Sequence, residues 1–230
     1  MASTGGVMYL DCHTHTKFSH DCSTELKDYI RAAEEANLEA VCVTDHNTIR
    51  GGLEIRELDP PFRVVVGSEL RTISGDLIGL FLEREVESHM PISRTAREIK
   101  EQGGITYLPH PFDRFADTPG LWEREELLTH LDVVEVHNSR LVFDSANRRA
   151  AAFAAERGVP GGAGSDAHRP EEIGLGGVEL RSFDGPQELV SALATARVLR
   201  RDNRSAGGRA VRIIAHSVGL VIERLGIKGA

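Results

Sequence analysis

The chain has 230 residues, 40% of them hydrophobic, and a formal net charge of −8. That length and apolar content suit one domain with a full core, and the acidic balance argues against a long basic nucleic-acid groove. Cys12, Cys22 and Cys42 form neither a CxxC pair nor an even framework, no run reaches the length of a membrane span, and the polar Met1–Gly6 start lacks a secretory core, all of which fits a reducing cytoplasm.

Val7-Met8-Tyr9-Leu10 reads as a short buried strand running into Asp11-Cys12-His13-Thr14-His15-Thr16. In an extended chain alternate side chains share a face, so His13 and His15 project to one side about 7 Å apart and can hold one divalent ion. Taken alone, the pair could equally be two polar residues at a strand end. Ser23 or Thr24 caps a helix whose apolar stripe is Leu26, Tyr29, Ile30 and Ala33, with Asn37 as a left-handed C-cap. Ala40 to Thr44 is a second strand leading into Asp45-His46. A short helix covers Ile49 to Leu58 and ends before Pro60-Pro61. Phe62 to Val66 is a third strand, closed by Gly67 and followed by Glu69. Asp76 to Leu82 is a fourth strand, and Ser93 caps a helix through Lys100 that Gly103-Gly104 stop.

Ile105 to Leu108 is a fifth strand with Pro109-His110-Pro111 directly after it, and Asp132 to Val136 is a sixth, ending in His137-Asn138. An alanine-rich helix over Asp144 to Arg157 stops at Gly158. Gly161-Gly162-Ala163-Gly164 is weak as a strand but suits close backbone approach near a site, and it leads to Ser165-Asp166-Ala167-His168. A helix near Pro186 to Arg197 precedes an arginine-rich tail. After Gly207-Gly208, Val211, Ile214, Ala215, Val218, Val221 or Ile222, and Leu225 recur at helical spacing, with Arg209, Arg212, Arg224 and Lys228 between them. This tail, 205–230, is expected to pack on the 1–204 domain or on a second subunit of a homo-oligomer, in preference to a membrane surface.

Strands alternating with helices argue for parallel βαβ units. His13/His15, Asp45-His46, Glu69, His110, His137 and Asp166/His168 all fall at or just past the C-terminal ends of those strands. In an α/β barrel these ends form one rim, where such folds carry their chemistry. Chance would place one or two of the 10 histidines there, not most of them.

Asp11-x-His13-x-His15, Thr44-Asp45-His46, Gly67-x-Glu69, His110-Pro111 and Ser165-Asp166-Ala167-His168 resemble, in kind and order, the motifs of the PHP (polymerase and histidinol phosphatase) family. Thr44-Asp45-His46-Asn47-Thr48 and Leu108-Pro109-His110-Pro111-Phe112-Asp113-Arg114 are similar to its small stand-alone members. The resemblance implies an α/β fold, a distorted (β/α)7 barrel with two or three divalent metals at the C-terminal rim. It implies that His13, His15 and Asp166 hold one metal and that Glu69 bridges it to a second, held by His110. Asp21, His46 and His168 would form a third site, with His20 as the alternative to Asp21. The family's further histidine near the end of the fourth strand has no match, since Asp76 opens that strand, Glu83 closes it and His89 lies later. His137 stands where a non-ligand is expected before Asn138, and is read as a ligand, a proton carrier or a substrate contact.

Imidazole and carboxylate donors without thiolate suit Mn²⁺, Fe²⁺ or Zn²⁺ better than Ca²⁺ or Mg²⁺. Close-set metals lower the pKa of a bridging water, so a bridging hydroxide is the expected nucleophile toward a phosphoryl group. Lys17, Arg114, Arg140 and Arg169 lie in the rim loops, with Asn138 among them, and a guanidinium fork matches phosphate oxygens. The leading expectation is a metal-dependent phosphoesterase acting on a small phosphorylated molecule, a nucleotide or sugar phosphate, with no stable nucleic-acid partner. The alternatives are a 3'-5' exonuclease-type nuclease and a catalytically silent metal-binding scaffold. A C–N hydrolase ranks lower, because no metal-bridging lysine is evident.

Overall fold

Apolar runs of four to six residues form the strands, and stretches with a single apolar stripe form the helices that cover them. The structure, a computed structural model, describes residues 6–113 and 121–201. Arg114 and the 205–230 tail lie outside the described residues. In chain order the elements are β1 (Val7–Thr14), α1 (Leu26–Glu35), β2 (Ala40–Val43), α2 (Arg50–Glu57), β3 (Arg63–Thr72), β4 (Gly75–Leu80), α3 (Ile92–Glu101), β5 (Ile105–Leu108), α4 (Leu121–Leu128), β6 (Val133–Asn138), α5 (Asp144–Arg157), β7 (Gly161–Gly164), β8 (Gly176–Arg181), α6 (Pro186–Leu193) and β9 (Arg197–Arg200).

The strands form one sheet in the order β7-β6-β5-β4-β3-β2-β1-β8-β9. It curls until β7 reaches β1, where a bridge between Thr14 and Ala167 and the hydrogen bonds His15 N–H to Ala167 O (3.0 Å) and Asp166 N–H to His13 O (2.8 Å) hold the seam. The result is a nearly closed α/β barrel. Its nine described strands are of mixed direction, so the expected barrel type is present without a strict repeat of seven βα units. Alternation divides the core as a two-faced strand requires. Leu10, Cys12, Ala40, Cys42, Val65, Ile78, Tyr107, Val133 and Ala163 fill the interior. Val41 and Val43 pack outward on Leu26, Tyr29 and Ala33 of α1, and Leu108 and Val134 pack on Ile99 of α3 and Ala150 of α5. No helix among the described residues is long and apolar enough to cross a membrane.

Several local expectations are corrected. Neither Ser23 nor Thr24 caps α1: Glu25 holds that position without a side-chain cap, and the Thr24 hydroxyl donates to the His168 carbonyl (3.4 Å). Asn37 does take the left-handed conformation, at φ 52°. Pro91, not Ser93, precedes α3. Gly67 does not end β3, which continues through Glu69 to Thr72 because β4 pairs with its second half. A hairpin there makes β4 antiparallel to β3, so Asp76 at its start stands at the same end of the barrel as Glu69. The helix expected to reach Arg197 stops at Leu193, and the arginine-rich run becomes β9, paired antiparallel with β8. Sequence reading also missed α4 and β8.

Two irregularities aim the rim side chains. Between Asp11 and Thr14, β1 spends one residue more than β2, and between Glu135 and His137, β6 spends one more than β7. Such bulges reset the alternation of faces. After the first, Thr14 turns outward, its hydroxyl donating to the Cys42 carbonyl (2.7 Å) and lying 2.6 Å from the Tyr29 hydroxyl, while His13 and His15 meet across the rim. The small residues of β7 let this happen: a Cβ on Gly164 would lie 2.4 Å from His13 Cβ. Gly164→Ala is therefore expected to destabilise the protein by ~1–3 kcal/mol through overpacking and to displace His13. Thermal unfolding together with metal analysis of the purified variant checks this, and a wild-type midpoint with undiminished metal would contradict it.

Candidate metal centre

The rim gathers side chains from six strand ends. His13 Nε2 and His15 Nε2 lie 3.1 Å apart, and Glu69 Oε2 is 3.3 Å from the first and 3.4 Å from the second. Asp166 Oδ1 is 3.4 Å from His15 Nε2 and 3.8 Å from His13 Nε2. The other oxygen of Glu69 lies 3.0 Å from His110 Nε2. Glu69 is thus placed between two groups of donors, His13/His15/Asp166 on one side and His110 on the other. Its backbone is latched to the loop after β2, with Glu69 N–H donating to Asp45 O (3.1 Å) and Asn47 N–H to Glu69 O (2.9 Å). Residues in sparsely populated backbone conformations cluster at functional sites, and His110 (φ 26°) and Asp166 (φ 54°) are both of this kind.

Hydrogen bonding fixes which ring nitrogens face inward. His13 Nδ1 lies 3.1 Å from Glu135 Oε1, a carboxylate that can only accept when ionised, so Nδ1 carries a proton and Nε2 is the nitrogen turned inward, where a cation would replace its proton. The Ser19 hydroxyl donates to Asp45 Oδ1 (2.7 Å), which leaves its oxygen to accept from His15 Nδ1 (3.0 Å), and His15 Nε2 turns inward with a lone pair. His110 Nδ1 is buried and has no hydrogen-bond partner among the described residues. Inward-turned imidazole nitrogens facing two buried carboxylates are a donor set that fits divalent transition-metal ions.

The third expected group also assembles. Asp21 Oδ1 is 3.5 Å from His46 Nε2, Asp21 Oδ2 is 3.0 Å from His168 Nε2, and His15, His46 and His168 lie within ligand reach of one another. His20 and Asp21 are both exposed and lie within ligand reach of His46, so the two expected alternatives stand at the same place, and Asp21 also reaches His168. His137 stands apart. The β6 bulge turns it toward α5, where Nδ1 meets the Asn147 amide (3.1 Å) and Nε2 the Ser139 hydroxyl (3.2 Å). Asn138 takes the inward place instead, its amide donating to Glu135 Oε2 (3.0 Å) and Asp166 Oδ2 (3.1 Å). Arg140 lies against the His168 ring with Nη1 3.5 Å from Asp166 Oδ1. Lys17 pairs with Glu25 (2.7 Å) on the surface. Sequence reading missed the roles of Asp11, Asp45 and Glu135, three buried carboxylates that orient the rim. Asp11 accepts the N–H groups of Ser165 and Gly174, both at 2.9 Å, tying β1 to the chain around β7. Their position at or just before the histidines of three strands was the available signal.

Burial disfavours every charge here, and the rim resolves this by pairing. For His13, burial is outweighed by the carboxylates of Asp166, Glu135 and Glu69, which hold it well above the ordinary imidazole value. Glu69 does the same, against burial, for His46 and His110, each pushed up to about 9. His15 falls well below, because His168 and His46 add to its burial. Despite burial, facing imidazoles hold Glu69, Asp166 and Asp21 well below the usual carboxylate range. Asp76 is pushed up to about 6 by burial and by Glu69.

The PHP domain family matches residues 11–105, and the PHP-associated family matches residues 144–198. An uncharacterized protein of Methanocaldococcus jannaschii, MJ1587, is 36% identical over 146 residues, which cover 57% of this chain and 82% of that one. The chain belongs to the PHP family. Among solved structures, a two-domain Bacteroides vulgatus protein containing a predicted PHP-like metal-dependent phosphoesterase shares the fold at a TM-score of 0.68 and 20% identity, over 86% of this chain and 66% of that one. The lesion-specific endonuclease PfuEndoQ from Pyrococcus furiosus shares it at 0.63 and 16%, over 84% and 58%. The PHP family match covers the motifs of β1, β2 and β3, and the PHP-associated match covers the Asp166/His168 end.

Raised imidazole values carry a definite sign. His46 and His110 contribute stability to the metal-free protein that is fully present below about pH 6.5 and is lost as pH rises through about 9. The unfolding temperature of chelated protein should therefore fall across that window. The metal-saturated protein should not follow it, since bound cations replace the protons. Scanning calorimetry of both forms from pH 6 to 9.5 tests this, and a flat profile for the chelated form would count against excess protons at the rim.

Proposed function

We propose that this PHP protein is a metal-dependent phosphoesterase that hydrolyses a small phosphorylated molecule, a nucleotide or sugar phosphate, in a cytoplasmic setting. The observation that carries the reading is Glu69, one buried carboxylate whose two oxygens face separate donor groups. His13, His15 and Asp166 would hold one divalent ion and His110 a second, with Asp21, His46 and His168 offering a third place, and Mn²⁺, Fe²⁺ or Zn²⁺ suits these donors. When bound, such ions lower the pKa of water and neutralise charge on a phosphoryl oxygen. The protein's own share is to hold those ligands in one protonation state, through Glu135, Ser19 and Asp45, and to place the Arg140 guanidinium beside Asp166, where it can grip a phosphate oxygen. Lys17, Arg114 and Asn138 complete the substrate-side reading, although the Asn138 amide is engaged by Glu135 and Asp166, which favours an orienting role. His20 stays the alternative to Asp21, with a catalytic role as its second reading, and His137 stays a second-line proton carrier.

Nuclease action is the second reading. It is favoured by the fold shared with PfuEndoQ and with an endonuclease Q structure in complex with a 27-mer duplex. The expectation of no nucleic-acid partner gains no support from these likenesses. The net charge of −8 and the few cations at the rim favour the small substrate.

Protein purified without chelator should carry at least two equivalents of divalent transition metal. Less than about one in total would remove the basis of the reading. Glu69→Gln keeps the shape but removes the negative charge that two cations would share, and should lose metal and at least about 100-fold in turnover while still folding. Phosphate release from small esters and degradation of single-stranded oligonucleotides, each with Mn²⁺ at two ionic strengths, separate the readings. Small-ester hydrolysis with a shallow salt dependence and a marked loss in Arg140→Ala is expected. Salt-steep degradation of oligonucleotides with no action on small esters would favour the nuclease.

A further inference from the structure

Glu135, in the middle of β6, is 1% exposed and collects four donors on one carboxylate. His13 Nδ1 (3.1 Å) and the Tyr107 hydroxyl (3.2 Å) lie on Oε1, and the His110 backbone N–H (2.8 Å) and the Asn138 amide (3.0 Å) lie on Oε2. The same Asn138 nitrogen is 3.1 Å from Asp166 Oδ2. Glu135 therefore touches, directly or through one amide, candidate ligands carried by β1 and by the loops after β5 and β7. It has no room to swing, because a Cβ on Gly164 would already lie 3.0 Å from its Oε1.

We propose that Glu135 is the positioning residue of the centre, setting the ring orientation and proton of His13 and the placement of His110 and Asp166. This rests on the metal-centre reading above. A merely structural polar group would be served as well by glutamine, which has the same length, but glutamine cannot satisfy this ring of neighbours. If its oxygen faces His13 and Tyr107, its NH₂ is driven against the His110 N–H and the Asn138 amide, donor against donor. If its NH₂ faces His13, the ring must accept at Nδ1, and the proton moves to Nε2, the nitrogen needed for the cation. Only a carboxylate accepts from all four. Partners of metal-ligating histidines typically govern about 10–100-fold in metal affinity.

The test is Zn²⁺ titration of chelated protein against a competing chromophoric chelator, for wild type, Glu135→Gln, Glu135→Asp and Tyr107→Phe. Glu135→Gln should weaken Zn²⁺ binding about 10–100-fold, Glu135→Asp should recover part of that loss, and Tyr107→Phe, which leaves the carboxylate in place, should stay near wild type. In ¹⁵N spectra of zinc-saturated protein, wild-type His13 should show a proton on Nδ1 and zinc on Nε2, a signature that Glu135→Gln should lose. Wild-type affinity with an unchanged His13 signature in Glu135→Gln overturns the proposal. If that variant does not fold, equal Zn²⁺ affinity in Glu135→Asp and wild type overturns it instead. Wild-type protein that binds no Zn²⁺ would sink the metal-centre reading itself, a result separate from any difference between variants.

Discussion

The rim depends on one electrostatic problem, a cluster of buried carboxylates and imidazoles that cannot all be neutral or all be charged. Glu69 is its centre. One oxygen faces His13, His15 and His46, and the other faces His110. An isolated carboxylate at 2% exposure is costly to ionise, and here the facing imidazoles hold it ionised. Without metal the balance is struck with protons on His13, His46 and His110. Divalent ions, where bound, would supply that charge instead, so that metal binding would release protons.

The backbone that presents these groups is irregular where regular strands would fail. An unbroken β1 would send His13 to the face opposite Leu10 and Cys12, and an unbroken β6 would keep Glu135 and His137 together. The β1 bulge brings His13 to the face of Cys12, and the β6 bulge parts Glu135 from His137. They give β1 an interior residue followed directly by a candidate ligand, and they give β6 a buried carboxylate inward and a histidine toward α5. The glycines of β7 are the counterpart of these bulges, since they leave the space into which His13 and Glu135 fit.

Most of this arrangement was legible in the sequence because its candidate ligands come in short patterns in or just after strands. His13 and His15, His46, Glu69, His110, Asp166 and His168 were all found by that rule, and all converge. What could not be read depends on partners distant in sequence. The antiparallel turn of β4, which brings Asp76 to the rim, follows from its pairing with β3 and β5. The outward turn of His137 follows from a register shift against β7. The orienting carboxylates Asp11, Asp45 and Glu135 look like any acidic residue in or after an apolar run until their donors are known. Strands β8 and β9 were hidden for another reason. They pair with β1 and with each other, and the arginines of β9 mark a strand at the edge of the sheet, where charge blunts further pairing.

The seam between β7 and β1 has a consequence for how the molecule is made. His13 leaves the ribosome roughly 150 residues before Asp166, and the same two backbone hydrogen bonds that close the barrel bring the two together. Contacts of such long sequence separation form late, because the intervening chain must be ordered first. Until that closure His13, His15 and Glu69 stand without Asp166, an incomplete form of the centre proposed above. Under the metal-centre reading, the full donor set would assemble only once β7 is laid against β1.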